Sequence, residues 1–278
     1  MNCFFVSDLH GKKNRYDALF EQIRKRIPEY LLIGGDILPL KEPEAFINSY
    51  FLPEISRLKS DMKEKFPVIL AIPGNDDPAA FDIFFREADK EGLLHFIPER
   101  TIKADSYTVT GYPFVPPTPF MLKDREKYDV SRYVDPGCLA PDEGNRTVEP
   151  DYDTEFSNIA TDLKKLSAGI DASKSIFLFH SPPYKSPLDR AALDGKTFDH
   201  VPLDVHVGSI AIQRFIDDFQ PMLTLHGHIH ESFRITGEWQ VINGKTISMS
   251  AASDIKGLTI ITFNTNNLST AKREEIDC

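Results

Sequence analysis

The chain has 278 residues, 41% of them hydrophobic, with a formal net charge of −10 and a pI near 5.3. That length supports one sizeable α/β domain, read here as spanning residues 1–278. An acidic chain without a Lys/Arg cluster lacks the counterion-releasing face that nucleic-acid binding needs, so no nucleic-acid partner is expected.

The opening apolar run, residues 2–6, is too short to span a membrane and carries no cleavage pattern. A soluble, cytoplasmic protein is therefore expected. Short apolar runs then alternate with amphipathic stretches, the pattern of an α/β protein. Strands are predicted over residues 3–7, 30–33, 68–72, 175–179 and 222–225. Helices are predicted between them, over 15–26, 43–66, 78–91, 156–168 and 210–219. Residues 233–236, 240–242, 246–250 and 258–263 read as a run of strands, with Gly237 and Asn243-Gly244 as turns. Such a meander suggests a second sheet or an antiparallel extension of the first. Two stretches, 113–153 and 181–207, read as long loops, and the first is a Pro-rich insertion. Loops of that length in a compact domain are usually functional or mobile. Cys3, Cys138 and Cys278 are too few and too scattered for a disulfide framework or a thiolate zinc site.

Five polar clusters each follow a predicted strand: Asp8-Leu9-His10, Gly34-Gly35-Asp36, Gly74-Asn75-Asp76-Asp77, His180, and Gly227-His228-Ile229-His230. Ligands of open α/β sheets bind at the carboxyl ends of strands, and packing alone has no reason to place five such clusters there. Asp8 and His10 are two apart, as are His228 and His230. On an extended backbone that spacing points both side chains the same way, so each pair is expected to grip one ion. Imidazole and carboxylate together suit Mn, Fe, Co, Ni or Zn. Asp36 has two oxygens and can bridge, and Asn75 adds a neutral oxygen ligand. Seven ligands exceed one tetrahedral site and suit two divalent ions, with manganese favoured. Two metals roughly 3.5–4 Å apart can activate a bridging hydroxide for in-line attack on phosphorus.

In this order, from Asp8 to His230, the motifs resemble the calcineurin-like metallophosphoesterase superfamily, and a prokaryotic subgroup of phosphohydrolases within it. The resemblance implies an α/β fold, a four-layer α/β/β/α sandwich with two facing mixed β-sheets. It implies hydrolysis of a small-molecule phosphate monoester or diester. It assigns Asp8, His10, Asp36 and His230 to a first metal, with Asp36 shared, and Asn75, His180 and His228 to a second. A binding or scaffold protein on the same fold is the alternative reading, and metal content separates the two.

One position departs from the pattern, because Asp76 stands where relatives carry a histidine that contacts phosphate. Asp77, the acid that follows, would orient that group, although Asp77-Pro78 also reads as a helix N-cap. Asp76 could act as an acid only if its site raised its pKa. Restoring histidine there is expected to raise activity on monoesters. A substitute acid is expected from the second long loop, with His206 and His200 as candidates, and Arg190 or Lys185 could clamp phosphate oxygens. Tyr128, Arg132 and Tyr133 are candidate lining residues from the first loop.

Overall fold

The computed structural model describes residues 1–278. In chain order it runs β1 (Asn2–Val6), α1 (Lys13–Arg26), β2 (Tyr30–Gly34), α2 (Pro43–Phe46), a π-helical turn (Ile47–Phe51), α3 (Leu52–Met62), β3 (Val68–Ile72), α4 (Asp82–Lys90) and β4 (His95–Phe96). There follow β5 (Thr101–Ala104), β6 (Tyr107–Tyr112), α5 (Ile159–Leu166), β7 (Ser175–Phe179), the small hairpin of β8 (Thr197–Phe198) and β9 (Val201–Pro202), and α6 (Ile210–Phe219). The chain ends in β10 (Leu223–His226), α7 (Ser232–Thr236), β11 (Gln240–Asn243), β12 (Thr246–Ser250), β13 (Leu258–Asn264) and β14 (Asn267–Ile276).

These strands form two six-stranded sheets, ordered β14-β13-β1-β2-β3-β4 and β11-β12-β10-β7-β6-β5. Both are mixed: β1, β2 and β3 run parallel, as do β6, β7, β10 and β12, while β13, β14, β5 and β11 attach antiparallel. The expected meander therefore divides, with β11 and β12 closing one sheet and β13 and β14 extending the other.

Side-chain alternation builds the layers. Phe4 and Val6 of β1 join Leu31, Ile33, Ile69 and Ala71 in facing Tyr16, Leu19, Ile55 and Phe85 of the helices. Cys3 and Phe5 point the other way, with Leu32 and Leu70, onto Ile176, Leu178, Leu223 and Leu225 of the second sheet. Phe177 and Phe179, on the outer face of that sheet, pack under Leu163 of α5 and Phe215 of α6. Three apolar seams thus separate four layers, α/β/β/α, and strands buried on both faces read as continuous apolar runs.

Several elements differ from the sequence reading. Residues 233–236 form a helical turn rather than a strand, closed by Gly237 at φ 75°, whose N–H donates to the Phe233 carbonyl. Alternating Phe233 and Ile235 fit either shape over so few residues, and the left-handed glycine decides for the helix. Strands β4 to β6, over residues 95–112, form no continuous apolar run, because β4 has two residues and Thr101, Lys103, Thr108 and Thr110 alternate with the apolar positions of β5 and β6. Strand β14 is an exposed edge rich in Lys, Arg and Glu, so it has no apolar face to read.

The 113–153 stretch has no regular helix or strand, yet it is internally built. Lys123 and Glu126 are fully buried and paired at 2.6 Å. Asp129 accepts hydrogen bonds from the Ser209 hydroxyl and from the backbone N–H groups of Ile210 and Ala211, at the start of α6.

Candidate metal centre

All five clusters lie in loops at the carboxyl ends of β1, β2, β3, β7 and β10. Parallel pairing carries those loops forward side by side. Beyond the β1–β2 ladder, Asp8 N–H donates to Gly35 C=O at 3.0 Å and His10 N–H to Asp36 C=O at 2.8 Å. In the second sheet, Gly227 N–H donates to His180 C=O at 2.9 Å. The buried guanidinium of Arg15 holds the first loop from α1, donating to the Asp8 carbonyl at 2.7 Å.

The backbone there is strained. Asp8, His10, Asp36 and His228 all have positive φ, at 59°, 48°, 51° and 74°. Non-glycine residues occupy that region at a cost that surrounding structure must offset, and such residues cluster at functional sites. This geometry corrects the extended-backbone argument for the paired spacings. Asp8 and His10 do meet, but through two left-handed residues. His228 and His230 part company, one turning to each side of the centre.

Asp8, His10, Asp36 and His230 form the first group, with one ligand atom from each within 4.8 Å of the others. His10 Nε2 and His230 Nε2 face each other at 3.1 Å, and His230 Nε2 lies 3.3 Å from Asp8 Oδ1. The second group gathers around His180, whose Nε2 is 3.0 Å from Asn75 Oδ1 and whose ring centroid is 5.1 Å from that of His228. Asp36 lies between the two: its Oδ2 is 3.6 Å from His10 Nε2 and 3.4 Å from His180 Nε2.

His180 Nδ1 lies 2.8 Å from the Gly34 carbonyl, which can only accept, so Nδ1 carries a proton. In a neutral ring Nε2 then turns a lone pair toward Asn75 Oδ1 and Asp36 Oδ2. Three acceptors converging on one point are stable only with a proton or a cation among them, and a backbone carbonyl behind a histidine is a usual support for a metal ligand. The donor set fits two divalent ions.

Electrostatics agree. Burial would lower His180, but the charge of Asp36 and the contact with it raise it to about 10, a proton standing where a cation would. Burial would raise Asp8, yet the hydrogen bond to His230 and the charges of His230, His180 and His10 hold it well below the usual carboxylate range. His228 is pushed down to about 3 by burial and then by the charge of His180. Gly74 makes room for this packing: a Cβ there would sit 2.2 Å from Asp36 Oδ1 and 2.7 Å from His180 Cε1.

Asp77 is buried and held by backbone donors. Its carboxylate accepts from the N–H groups of Ile37, Leu38 and Gly74 at 3.0, 2.8 and 2.8 Å. It therefore staples the β3 loop to the β2 loop and caps no helix. Burial and the charge of Asp36 push it up to about 7, against those three donors. Asp76 sits at the lip of the centre, its side chain 30% exposed, and burial followed by the charge of Asp36 raises it.

His206 is half-buried, with Nδ1 2.7 Å from Asp189 Oδ1 and Nε2 free of protein partners. Arg190 is engaged by Asp194 and by the Ala191 carbonyl, and Lys185 Nζ lies over the ring of Tyr184, 5.3 Å from its centroid. Neither touches the ligand groups. His200 is exposed at the tip of the β8–β9 hairpin. From the first long loop, Tyr128 is buried with its hydroxyl on Asp142, Arg132 pairs with Glu155, and Tyr133 is exposed. The sequence reading missed His226, whose ring stacks on Phe179 and whose Nδ1 is 2.9 Å from the Ser181 carbonyl. A third histidine just ahead of Gly-His-x-His was the available signal.

A fold of this layering, with its polar clusters at the strand ends, defines a class that the family comparison names. The chain belongs to the calcineurin-like phosphoesterase family, whose model matches residues 1–232. One solved crystal structure matches with 99% of each chain covered, 15% identity and a TM-score of 0.61. TT1561 of Thermus thermophilus matches at 14% identity and a TM-score of 0.56, again covering 99% of each chain. A dimetal phosphatase from Danio rerio matches at 9% identity and 0.53, over 94% of this chain and 92% of its own. Those likenesses concern the fold. No curated protein sequence matches the chain.

Proposed function

We propose that this chain is a two-metal phosphoesterase acting on a small phosphate monoester or diester. The observation that carries the reading is the single oxygen, Asp36 Oδ2, facing a histidine of each ligand group at 3.6 and 3.4 Å. Asp8, His10, Asp36 and His230 would hold one ion, and Asp36, Asn75, His180 and His228 the other. Two divalent ions, manganese first among them, supply Lewis acidity toward phosphoryl oxygens and make water acidic enough to attack at neutral pH. The named dimetal phosphatase on the same fold supports the reading.

The protein's own residues divide the remaining work. Asp8 and Asp36 offset only part of the charge of two dications, so the centre stays attractive to a phosphate anion. The Gly34 carbonyl fixes the His180 tautomer, and Asp77 fixes the loops that carry Asp36 and Asn75. His206 is the proposed proton donor to the leaving group in its imidazolium form, in which Nδ1–H donates to Asp189 and Nε2–H has no protein partner. Arg190 and Lys185 are given no part, since Arg190 is occupied by Asp194 and Lys185 lies against Tyr184.

The test is turnover of p-nitrophenyl phosphate and bis(p-nitrophenyl) phosphate by protein loaded with Mn²⁺. Metal-dependent hydrolysis of at least one, abolished by chelator and by Asp36→Asn, is expected. Protein that binds two ions per chain and hydrolyses neither ester would overturn catalysis and favour a binding role.

A further inference from the structure

Asp76 touches three candidate ligands at once. Its Oδ1 accepts from Asn75 Nδ2 at 3.0 Å, which turns the amide so that Asn75 Oδ1 points toward His180 Nε2, also at 3.0 Å. Its Oδ2 lies 3.7 Å from His10 Nδ1, within ion-pair range, while the opposite nitrogen of that ring faces His230. Its backbone N–H donates to Asp36 Oδ1 at 2.9 Å, leaving Oδ2 of the same carboxylate for the two histidines. His10 and Asn75 belong to opposite sides of the centre, and Asp36 lies between them.

From this geometry we infer that Asp76 is a positioning residue that aligns ligands of both metal sites, an inference that rests on the two-metal reading above. Its carboxylate fixes the amide of Asn75 with the oxygen inward, and it favours the His10 tautomer protonated on Nδ1, which leaves the Nε2 lone pair for a metal. A neutral imidazole has one acceptor nitrogen and cannot serve both neighbours. The sequence-based expectation for Asp76→His therefore reverses: the histidine variant should bind metal more weakly and lose activity on monoesters. Groups that support metal ligands in this way are typically worth about 10–100-fold in affinity.

The experiment compares wild-type protein with Asp76→Ala, Asp76→Asn and Asp76→His. Calorimetric Mn²⁺ titration gives affinity and stoichiometry, and long-range ¹H–¹⁵N NMR of metal-free protein at pH 8 gives the His10 tautomer. Two ions per wild-type chain, about 10–100-fold weaker binding by Asp76→Ala, and partial recovery in Asp76→Asn, which keeps one acceptor oxygen, are expected. The His10 signal should move away from the Nδ1–H form in Asp76→Ala. Thermal melting of the metal-free proteins identifies any variant that fails to fold, and Asp76→Asn then carries the comparison. Wild-type affinity with an unchanged His10 tautomer in the folded variants would overturn the positioning role alone. Wild-type protein that takes up no metal would overturn the two-metal reading and this inference with it.

Discussion

His226 shows how far a residue's chemistry depends on its neighbours. It is fully buried without a charged partner, and burial lowers its pKa from 6.5 to about 4. The unfolded chain therefore binds a proton between pH 6.5 and 4 that the native ring refuses. Stability from this residue is complete above pH 6.5 and is lost as pH falls through that window, by about 3 kcal/mol at the acid end. In His226→Asn, whose amide can still donate to the Ser181 carbonyl, that part of the acid slope should vanish. Urea unfolding of both proteins at pH 4.5 and 7.5 measures it, and equal slopes would disprove the assignment. At this scale the sequence is only partly legible. Residue types announce a metal centre, but a spacing of two suggests an extended backbone, whereas Asp8, His10 and His228 are left-handed. Hydrogen bonds between neighbouring loops impose that conformation, and no local pattern reports them.

Among the elements, the 113–153 stretch departs most from expectation. Lys123 Nζ donates to Glu126 at 2.6 Å and to the Thr118 carbonyl at 2.8 Å, and Glu126 also accepts from Thr118 N–H. Removing one member strands a buried charge, so Lys123→Met should cost about 3–5 kcal/mol. Lys123→Met with Glu126→Leu should recover most of that loss, though Thr118 N–H then lacks its acceptor. Chemical denaturation of the single and double variants decides this, and an unaffected single variant would show that the segment adds nothing to stability. Helices α1 and α6 and strands β1, β2, β3 and β7 are plain in the apolar period. The missed strands, β4 to β6 and β14, have short, Thr-rich or charged sequences, and β4 and β6 also take parallel partners, β3 and β7, that are not their hairpin neighbours. Propensity is silent where pairing is the cause.

For the whole molecule, the centre ties the two sheets together: Asp8, His10, Asp36 and Asn75 come from loops of one, His180, His228 and His230 from loops of the other. Ions that bind only the folded arrangement must stabilise it by linkage, by about 2.7 kcal/mol at a free concentration 100-fold above Kd. Saturating Mn²⁺ should raise Tm by about 5–10 °C, and chelator should reverse the rise. A Tm indifferent to Mn²⁺, Zn²⁺ and Co²⁺ alike would speak against a centre spanning the sheets. No helix is long and apolar enough to cross a membrane. The sequence by itself determined the alternation of strands and helices, the placement of polar clusters after strands, and the chemical character of the ligands, because those follow from periodicity and side-chain type. Only the tertiary structure decided which ligand faces which, since contacts such as Asp36 to His180 join residues 144 positions apart. The two sheets must pack before such contacts exist, whereas the pairing of β1, β2 and β3 within one sheet turns Asp77 into a staple and sets Asp76 among Asn75, His10 and Asp36.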